Sequence, residues 1–343
     1  MFLAASALAI VAVLVYIART PPPANVPRPA AAAAQPAAPA ATPSAAPAAA
    51  PPRLVDAVPG GPLILFRDAS PGDLYGRLAM VRLPVANEPR QIGPLSCERV
   101  HYAAGYGVCM VTDDSRMPVR YQAFVFDRSF AKGPLLRLTG PPIRARVSPD
   151  GRRAALTVFE TGHSYADEEF STRTIIVDTA SGKQIADVEG FAVEKDGKPF
   201  KRIDFNFWGV TFARDGDQFF ATLKTRKARY LVKGSVDARR AAVVHDAVEC
   251  PSLSPDGSRI VFKKPLEDEI GWRLNVLELA TNVERPLNQT RRSVDDQVDW
   301  FDDTHVVYHD SATEGTGIWV LSIDGVTPPQ LLLPNAYSPA VQR

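Results

Sequence analysis

The stretch that decides the fold is Val-Ser-Pro-Asp-Gly at residues 147–151, followed by the apolar run 154–159. The proline fixes φ at the second turn position, the aspartate bonds its own backbone, and the glycine takes a positive φ. The pattern returns as Leu-Ser-Pro-Asp-Gly at 253–257 and, in weaker form, at 212–216 and 300–305. A strand–turn–strand unit that recurs in this way predicts a repeat architecture.

A second kind of hairpin alternates with the first. Its opening strands are apolar and lead into turn residues; they lie at 78–83, 124–127, 175–178, 230–233, 274–279 and 318–323. Equivalent positions in these strands follow one another at 44 to 55 residues. The inner hairpins fall between them, near 54–68, 99–113, 144–159, 209–223, 250–263 and 297–309. Four strands per unit, repeated six times, predict an all-β fold, a six-bladed β-propeller of four-stranded blades. A β-sandwich, the structural alternative, does not need so regular an interval.

Composition excludes several classes of protein. The chain has 343 residues, and its 39 basic and 38 acidic residues leave a net charge of +1. A dedicated nucleic-acid-binding surface would show a clustered basic excess, so no nucleic-acid partner is expected. Three cysteines are too few for a disulfide scaffold and too scattered for a zinc site.

The N-terminal segment predicts a membrane tether. Residues 2–18 form an apolar run that, as one helix, would be about 26 Å long, close to the minimum for crossing a bilayer. We therefore expect one hydrophobic helix as a transmembrane anchor within residues 1–20. A cleaved signal peptide is the alternative, although no basic residue precedes the run and Ala-Arg-Thr at 18–20 is a poor cleavage site. Two arginines that follow the run, Arg19 and Arg28, weakly favour a cytoplasmic body.

A linker follows the predicted anchor. Residues 21–52 contain 15 alanines and 11 prolines and nothing that could form a core, so we expect a disordered, extended spacer. The propeller is then expected to occupy residues 53–343.

The Ser-Pro-Asp-Gly hairpins at 148–151 and 254–257 resemble the repeat of the TolB-like propellers, which are related to the WD-repeat proteins. The resemblance covers about residues 54–343 and is weaker at 213–216 and 301–304. Such propellers include periplasmic partners of cell-envelope complexes and the gating domains of prolyl-oligopeptidase-type enzymes. The resemblance therefore implies the fold, and it favours an extracytoplasmic, envelope-facing body over the cytoplasmic one that the two arginines indicate.

Motifs of catalysis are not found in the sequence. It has no Gly-x-Ser-x-Gly nucleophile elbow and no glycine-rich phosphate loop. The histidines are scattered, and His305 and His309, four residues apart, are not expected to act as metal ligands. We therefore expect a protein that is not an enzyme and that uses no cofactor.

Propeller geometry predicts where a binding site would lie. The turns within hairpins meet at one end, and the longer loops between hairpins and between blades meet at the other, which makes the loop end the expected recognition face. Aromatic, arginine and acidic residues in these loops are candidate contacts for a protein or peptide partner, with a plain solvated rim as the alternative. The candidates are His163, Tyr165, Asp167, Glu168, Glu169, Trp208, Trp272, Arg291, Arg292, Asp295 and Asp296.

Two further hypotheses concern small groups. Asp295 and Asp296 precede an inner strand, so carboxylates at the channel mouth could hold Ca²⁺, as in an enzyme or a small-ligand-binding propeller. Cys97 and Cys109 flank one inner hairpin and form a possible disulfide, although simple pairing across the turn would place Cys109 opposite Tyr102. The sequence as a whole predicts a membrane-tethered, monomeric propeller that binds a protein or peptide and performs no catalysis.

Overall fold

A computed structural model describes residues 62–83, 89–115, 117–160, 170–266, 271–287, 293–294, 296–310 and 316–343. All of them belong to a compact unit, Ala50–Arg343. The predicted anchor at 2–18, the linker at 21–52 and the predicted start of the propeller at residue 53 lie outside the described residues. From Pro62 onward, no helix in the described ranges is long and apolar enough to cross a bilayer.

Strands are the predominant element among the described residues. In the first half of the chain these are β1 (Leu63–Asp68), β2 (Arg77–Arg82), β3 (Gln91–Ser96), β4 (Arg99–Ala103), β5 (Tyr106–Asp113), β6 (Arg120–Asp127), β7 (Leu136–Leu138), β8 (Pro142–Val147), β9 (Arg153–Phe159), β10 (Thr172–Asp178) and β11 (Gln184–Asp187). A single 3-10 turn, Val188–Gly190, follows β11.

The second half continues with β12 (Ala192–Lys195), β13 (Lys198–Phe200), β14 (Asn206–Phe212), β15 (Gln218–Thr225), β16 (Ala228–Ser235), β17 (Arg240–Asp246), β18 (Glu249–Leu253), β19 (Arg259–Pro265), β20 (Trp272–Glu278), β21 (Val283–Pro286), β22 (Asp299–Trp300), β23 (His305–Asp310), β24 (Gly317–Ser322), β25 (Gln330–Pro334) and β26 (Ala336–Gln342). Each predicted opening strand of an outer hairpin is found as the third strand of its sheet.

Six sheets form the blades of a propeller. From the axis outward they are β26-β1-β2-β3, β4-β5-β6-β7, β8-β9-β10-β11, β14-β15-β16-β17-β12-β13, β18-β19-β20-β21 and β22-β23-β24-β25, which we number as blades 1 to 6. Six clusters of buried apolar side chains lie between them, one at each interface of neighbouring blades. The prediction of a six-bladed, all-β propeller is confirmed for the described residues.

The ring closes through the C-terminal strand. The sequence placed the inner strand of blade 1 ahead of β1, near residues 54–68. That position is occupied instead by β26, which pairs antiparallel with β1, Leu63 opposite Gln342 and Leu65 opposite Ala340. The two ends of the propeller are therefore joined by main-chain hydrogen bonds, which leave β1 no open inner edge.

Blade 4 has two additional strands. In residues 190–208, which connect blade 3 to blade 4, β12 pairs in parallel with β17, and β12 and β13 form a hairpin beyond it. Four strands per blade were predicted, so these two strands are an addition. An outermost strand exposes unpaired backbone groups, and β12 supplies partners for those of β17.

The repeated turns have the predicted chemistry. The Ser148 hydroxyl donates to Asp150 at 2.6 Å and accepts from the Arg153 amide at 3.0 Å. Gly151 has φ +73°, and Gly257 in the second copy has φ +77°. Because each turn is satisfied by its own side chains, it can form wherever the motif occurs in the sequence.

Candidate functional site

Two tryptophans from neighbouring blades meet at the loop end of the propeller. Trp208 lies near the start of β14 in blade 4, and Trp272 opens β20 in blade 5. Both line a cavity of about 430 Å³. Phe170 joins them, with its ring centre 5.5 Å from that of Trp208. The cavity therefore has aromatic walls supplied by separate segments of the chain.

The same cavity is rich in cationic side chains. Among the described lining residues they are Arg144, Lys224, Arg226, Lys227, Arg229 and Lys263, beside one carboxylate, that of Glu249. The Lys224 ammonium lies 4.1 Å from the Phe170 ring centre, and that of Lys263 lies 4.7 Å from the Trp272 ring centre. Arg229 forms an ion pair with Glu249. Cations held over aromatic faces out of bulk water interact more strongly than exposed ones, so this arrangement is a defined cationic and aromatic surface. We call it the loop-face pocket.

A bulge in β14 brings Trp208 to this pocket. Trp208 pairs with Thr222, but the register shifts before Thr211 pairs with Phe220. Gly209, between them, has φ +63°, and a Cβ there would lie 2.6 Å from the Cα of Cys250. Only glycine permits both this backbone conformation and the close approach of β14 to β18.

The predicted site residues do not all lie at the same place in the structure. Trp208 and Trp272 are brought together, as described. Asp296 is buried away from them, and its carboxylate accepts from the amides of Gln297 at 2.9 Å and His309 at 3.3 Å. The remaining candidates lie outside the described residues: His163, Tyr165, Asp167, Glu168, Glu169, Arg291, Arg292 and Asp295. No group of three or more His, Cys, Asp or Glu suited to a metal ion occurs among the residues that the structure describes.

Sequence reasoning missed the basic and aromatic partners of the tryptophans. Phe170 was included in a loop but not selected, and Arg144, Lys224 and Lys263 lie in strands. A local signal does exist, since lysine in an otherwise apolar strand is uncommon. The blade geometry was needed to show that these strands converge.

Cys97 and Cys109 form a disulfide in the structure, with an S–S distance of 2.01 Å. The register differs from the simple expectation: Cys109 pairs with Val100, and Tyr102 pairs with Gly107. The shorter offset brings the Cα atoms of the two cysteines to 5.4 Å. Cys250 is free and buried.

A polar cluster occupies the propeller axis near the tight-turn end. Arg146 donates to Asp299 at 2.9 Å and to the Val298 carbonyl at 2.8 Å, and its Nη1 lies 3.0 Å from His101 Nε2. Burial, reinforced by the nearby Arg146 charge, lowers the pKa of His101 to about 3, so this ring is neutral. Burial opposes ionisation of Asp299, but the charges of Arg146 and Arg343 and the Val341 amide act together against it, and the pKa of Asp299 lies below its usual value. Asp299 is therefore already paired with an arginine.

A second cavity, larger than the loop-face pocket, lies at the tight-turn end. It has a volume of about 950 Å³ and extends from the axial cluster into the cleft between blades 4 and 5. From the sequence, recognition was expected only at the loop end. A cleft between two sheets depends on side-chain packing, which leaves no local motif, so this cavity was not predicted.

Comparison with known proteins supports the fold. No family model matches the chain, and no curated protein matches its sequence. TolB from Acinetobacter baumannii is similar in structure, with 14% identity, a TM-score of 0.56, and coverage of 82% of this chain and 66% of TolB. A chain of the nidogen/laminin complex is similar with 11% identity, a TM-score of 0.51, and coverage of 82% of this chain and 99% of the other.

At these identities the likeness shows the fold alone. The protein therefore has a TolB-like six-bladed β-propeller, as its turn motifs predicted. The chain spans just under two thirds of the length of the Acinetobacter TolB that it matches.

Proposed function

We propose that this chain is a membrane-tethered, non-catalytic propeller that binds a protein or peptide partner through the loop-face pocket. The observation that carries the proposal is the meeting of Trp208 and Trp272 in one cationic cavity. Tryptophan and arginine are enriched among the residues that dominate the binding energy of protein interfaces.

The comparisons add support at the level of the fold. One similar propeller was solved as part of a nidogen/laminin complex, and another is TolB. These two structures support only the fold. The kind of partner is therefore proposed from the residues of this chain itself. The acidic groups near the axis favour this function over the metal-dependent alternative, since Asp299 pairs with Arg146 and Asp296 accepts two backbone amides.

The test is cross-linked capture of partners from membranes by the full chain, followed by affinity measurement with the captured protein. Trp272→Ala should weaken binding by about 2 kcal/mol, or about 30-fold in Kd. Lys227→Glu, at an exposed position of the pocket rim, should weaken it as well. Lys183→Glu, an exposed change in the outer turn of blade 3, is the matched control and should leave Kd unchanged. Equal binding by all variants would contradict the loop-face assignment.

Tethering and sidedness need separate measurements. We expect the full chain to stay in the membrane pellet after carbonate extraction, and a variant lacking residues 2–18 to be released. Because Cys97 and Cys109 are paired and Cys250 is buried, an added Lys183→Cys provides the label site. A membrane-impermeant maleimide should label it in intact cells if the body is extracytoplasmic. Labelling only after lysis would place the body inside.

A further inference from the structure

The interface between blades 4 and 5 has the smallest cluster of buried apolar side chains. Among the described residues this cluster has six members, whereas the other five have ten to fifteen. The 950 Å³ cavity opens at this same interface. Beside the cluster, Leu253 and Leu279 are only partly buried.

The cavity is polar at one end and apolar along the other. At the axis it reaches the cluster of Arg146 and Asp299. Further out, its walls include the partly buried Leu253 and Leu279 of blade 5, with the exposed Val244 of blade 4 at the outer edge. This gradient suits a ligand with a polar group joined to an elongated apolar body.

The charges on the lining favour an anion. Four side chains are cationic, namely Arg146, Arg214, Lys233 and Arg343, and two are anionic, Asp150 and Asp299. Both carboxylates are already engaged, since Asp299 accepts from Arg146 and from the Val341 amide, and Asp150 accepts from Ser148 and Arg152. Lys233 is exposed, and its ammonium lies 5.9 Å from the Phe220 ring centre. The lining side chains therefore carry a net positive charge beside an apolar wall.

We propose that the cleft between blades 4 and 5 is a second binding site, separate from the loop-face pocket, for an amphipathic organic anion with an elongated apolar body. The volume lies within the range of organic-ligand cavities, which are mostly apolar with a few placed polar groups. Burial of the apolar body against Val244, Leu253 and Leu279 supplies the affinity, and the cations of the lining select the anionic group.

The test uses the full chain in membranes and a photoreactive decanoate that carries a diazirine on its alkyl chain. Cross-links mapped by mass spectrometry should fall on the peptides that contain Val244, Leu253 and Leu279. Excess decanoate should compete with the label, and decylamine, of equal length and opposite charge, should not.

Two variants complete the test. Ala280→Trp fills the cleft from an exposed turn position and should reduce labelling at least about tenfold, which corresponds to about 1.4 kcal/mol. Its control is Ala238→Trp, in an exposed turn of blade 4 that does not line the cleft. Lys233→Glu should weaken competition by decanoate about fivefold, whereas Lys198→Glu should not. Labelling that survives Ala280→Trp, spreads over the surface, or is competed equally by decylamine would overturn the proposal.

Discussion

Arg146 and Asp299, 153 positions apart in the sequence, are joined near the propeller axis by a 2.9 Å hydrogen bond from Nη1 to Oδ1. Arg146 belongs to blade 3 and Asp299 to blade 6. The same pair contacts His101 of blade 2, and Asp299 Oδ2 accepts from the Val341 amide of blade 1 at 2.7 Å. One ion pair thus links four blades directly. Its loss should therefore lower the stability of the whole propeller.

We predict that Asp299→Asn lowers the free energy of unfolding by about 3 kcal/mol. The change leaves Arg146 buried without its carboxylate, and an uncompensated buried charge is costly. Urea denaturation followed by tryptophan fluorescence measures the effect. Asp196→Asn, at an exposed turn between β12 and β13, is the control and should change stability by less than about 0.5 kcal/mol.

The double variant Arg146→Met with Asp299→Leu separates the cost of an orphaned charge from the contribution of the pair. Replacement of both partners by apolar side chains is often close to neutral, so we expect it to recover most of the stability lost in Asp299→Asn. A double variant less stable than the single one would show that the axial ion pair itself stabilises the ring.

Gly209→Ala should destabilise the propeller by about 3 kcal/mol or more. Alanine at φ +63° is strained, and its Cβ would lie 2.6 Å from the backbone of Cys250. Thermal and urea unfolding give the magnitude. Gly190→Ala is the matched control, because no atom lies within 4 Å of its added Cβ and its φ is not positive. Equal effects at the two positions would contradict the proposed close approach of β14 and β18.

Loss of the disulfide should destabilise the chain by about 2–3 kcal/mol, since the bridge spans a separation of only 12 residues and closes a short loop. We expect a reductant to lower the urea concentration at which half of the wild-type protein is unfolded. The double variant Cys97→Ala with Cys109→Ala should already have the lower midpoint and show no further shift. A reductant effect that persists in this variant would point to another cause.

Ionisation of Asp217 should make the free energy of unfolding depend on pH in the acid range. Burial raises the pKa of Asp217, but the Ser235 hydroxyl, the Asp237 amide and Arg153 outweigh it and lower the pKa to about 2. A folded pKa below the unfolded value stabilises the fold above about pH 4, and this contribution is lost as the pH falls toward 2. Asp217→Asn should cost about 1 kcal/mol at pH 6, allowing for solvent screening, and progressively less below pH 4. Urea unfolding across this range measures the difference, with the exposed Asp303→Asn as control. A stability difference between the wild type and Asp217→Asn that does not change with pH would mean that ionisation of Asp217 contributes nothing to stability.

The candidate site was predicted only in part. Trp208 and Trp272 were selected from the sequence because aromatic residues in loops often anchor interfaces, and the structure brings them to one cavity. Lys224 and Lys263 were not selected, since they lie within strands whose neighbours in space depend on how blades pack. At least one of Asp295 and Asp296 was expected to face the channel mouth; Asp295 lies outside the described residues, and the Asp296 carboxylate accepts from two backbone amides.

The sequence by itself determined the repeating unit. Serine, proline, aspartate and glycine satisfy a turn within a few residues, so the motif at 148–151 specifies its hairpin without help from the rest of the chain. Tertiary structure alone decided which strand closes the ring, where β12 and β13 pair, and that a cleft opens between blades 4 and 5. These features depend on contacts between residues far apart in the chain, such as Leu63 with Gln342, whose energy exists only once the blades are assembled.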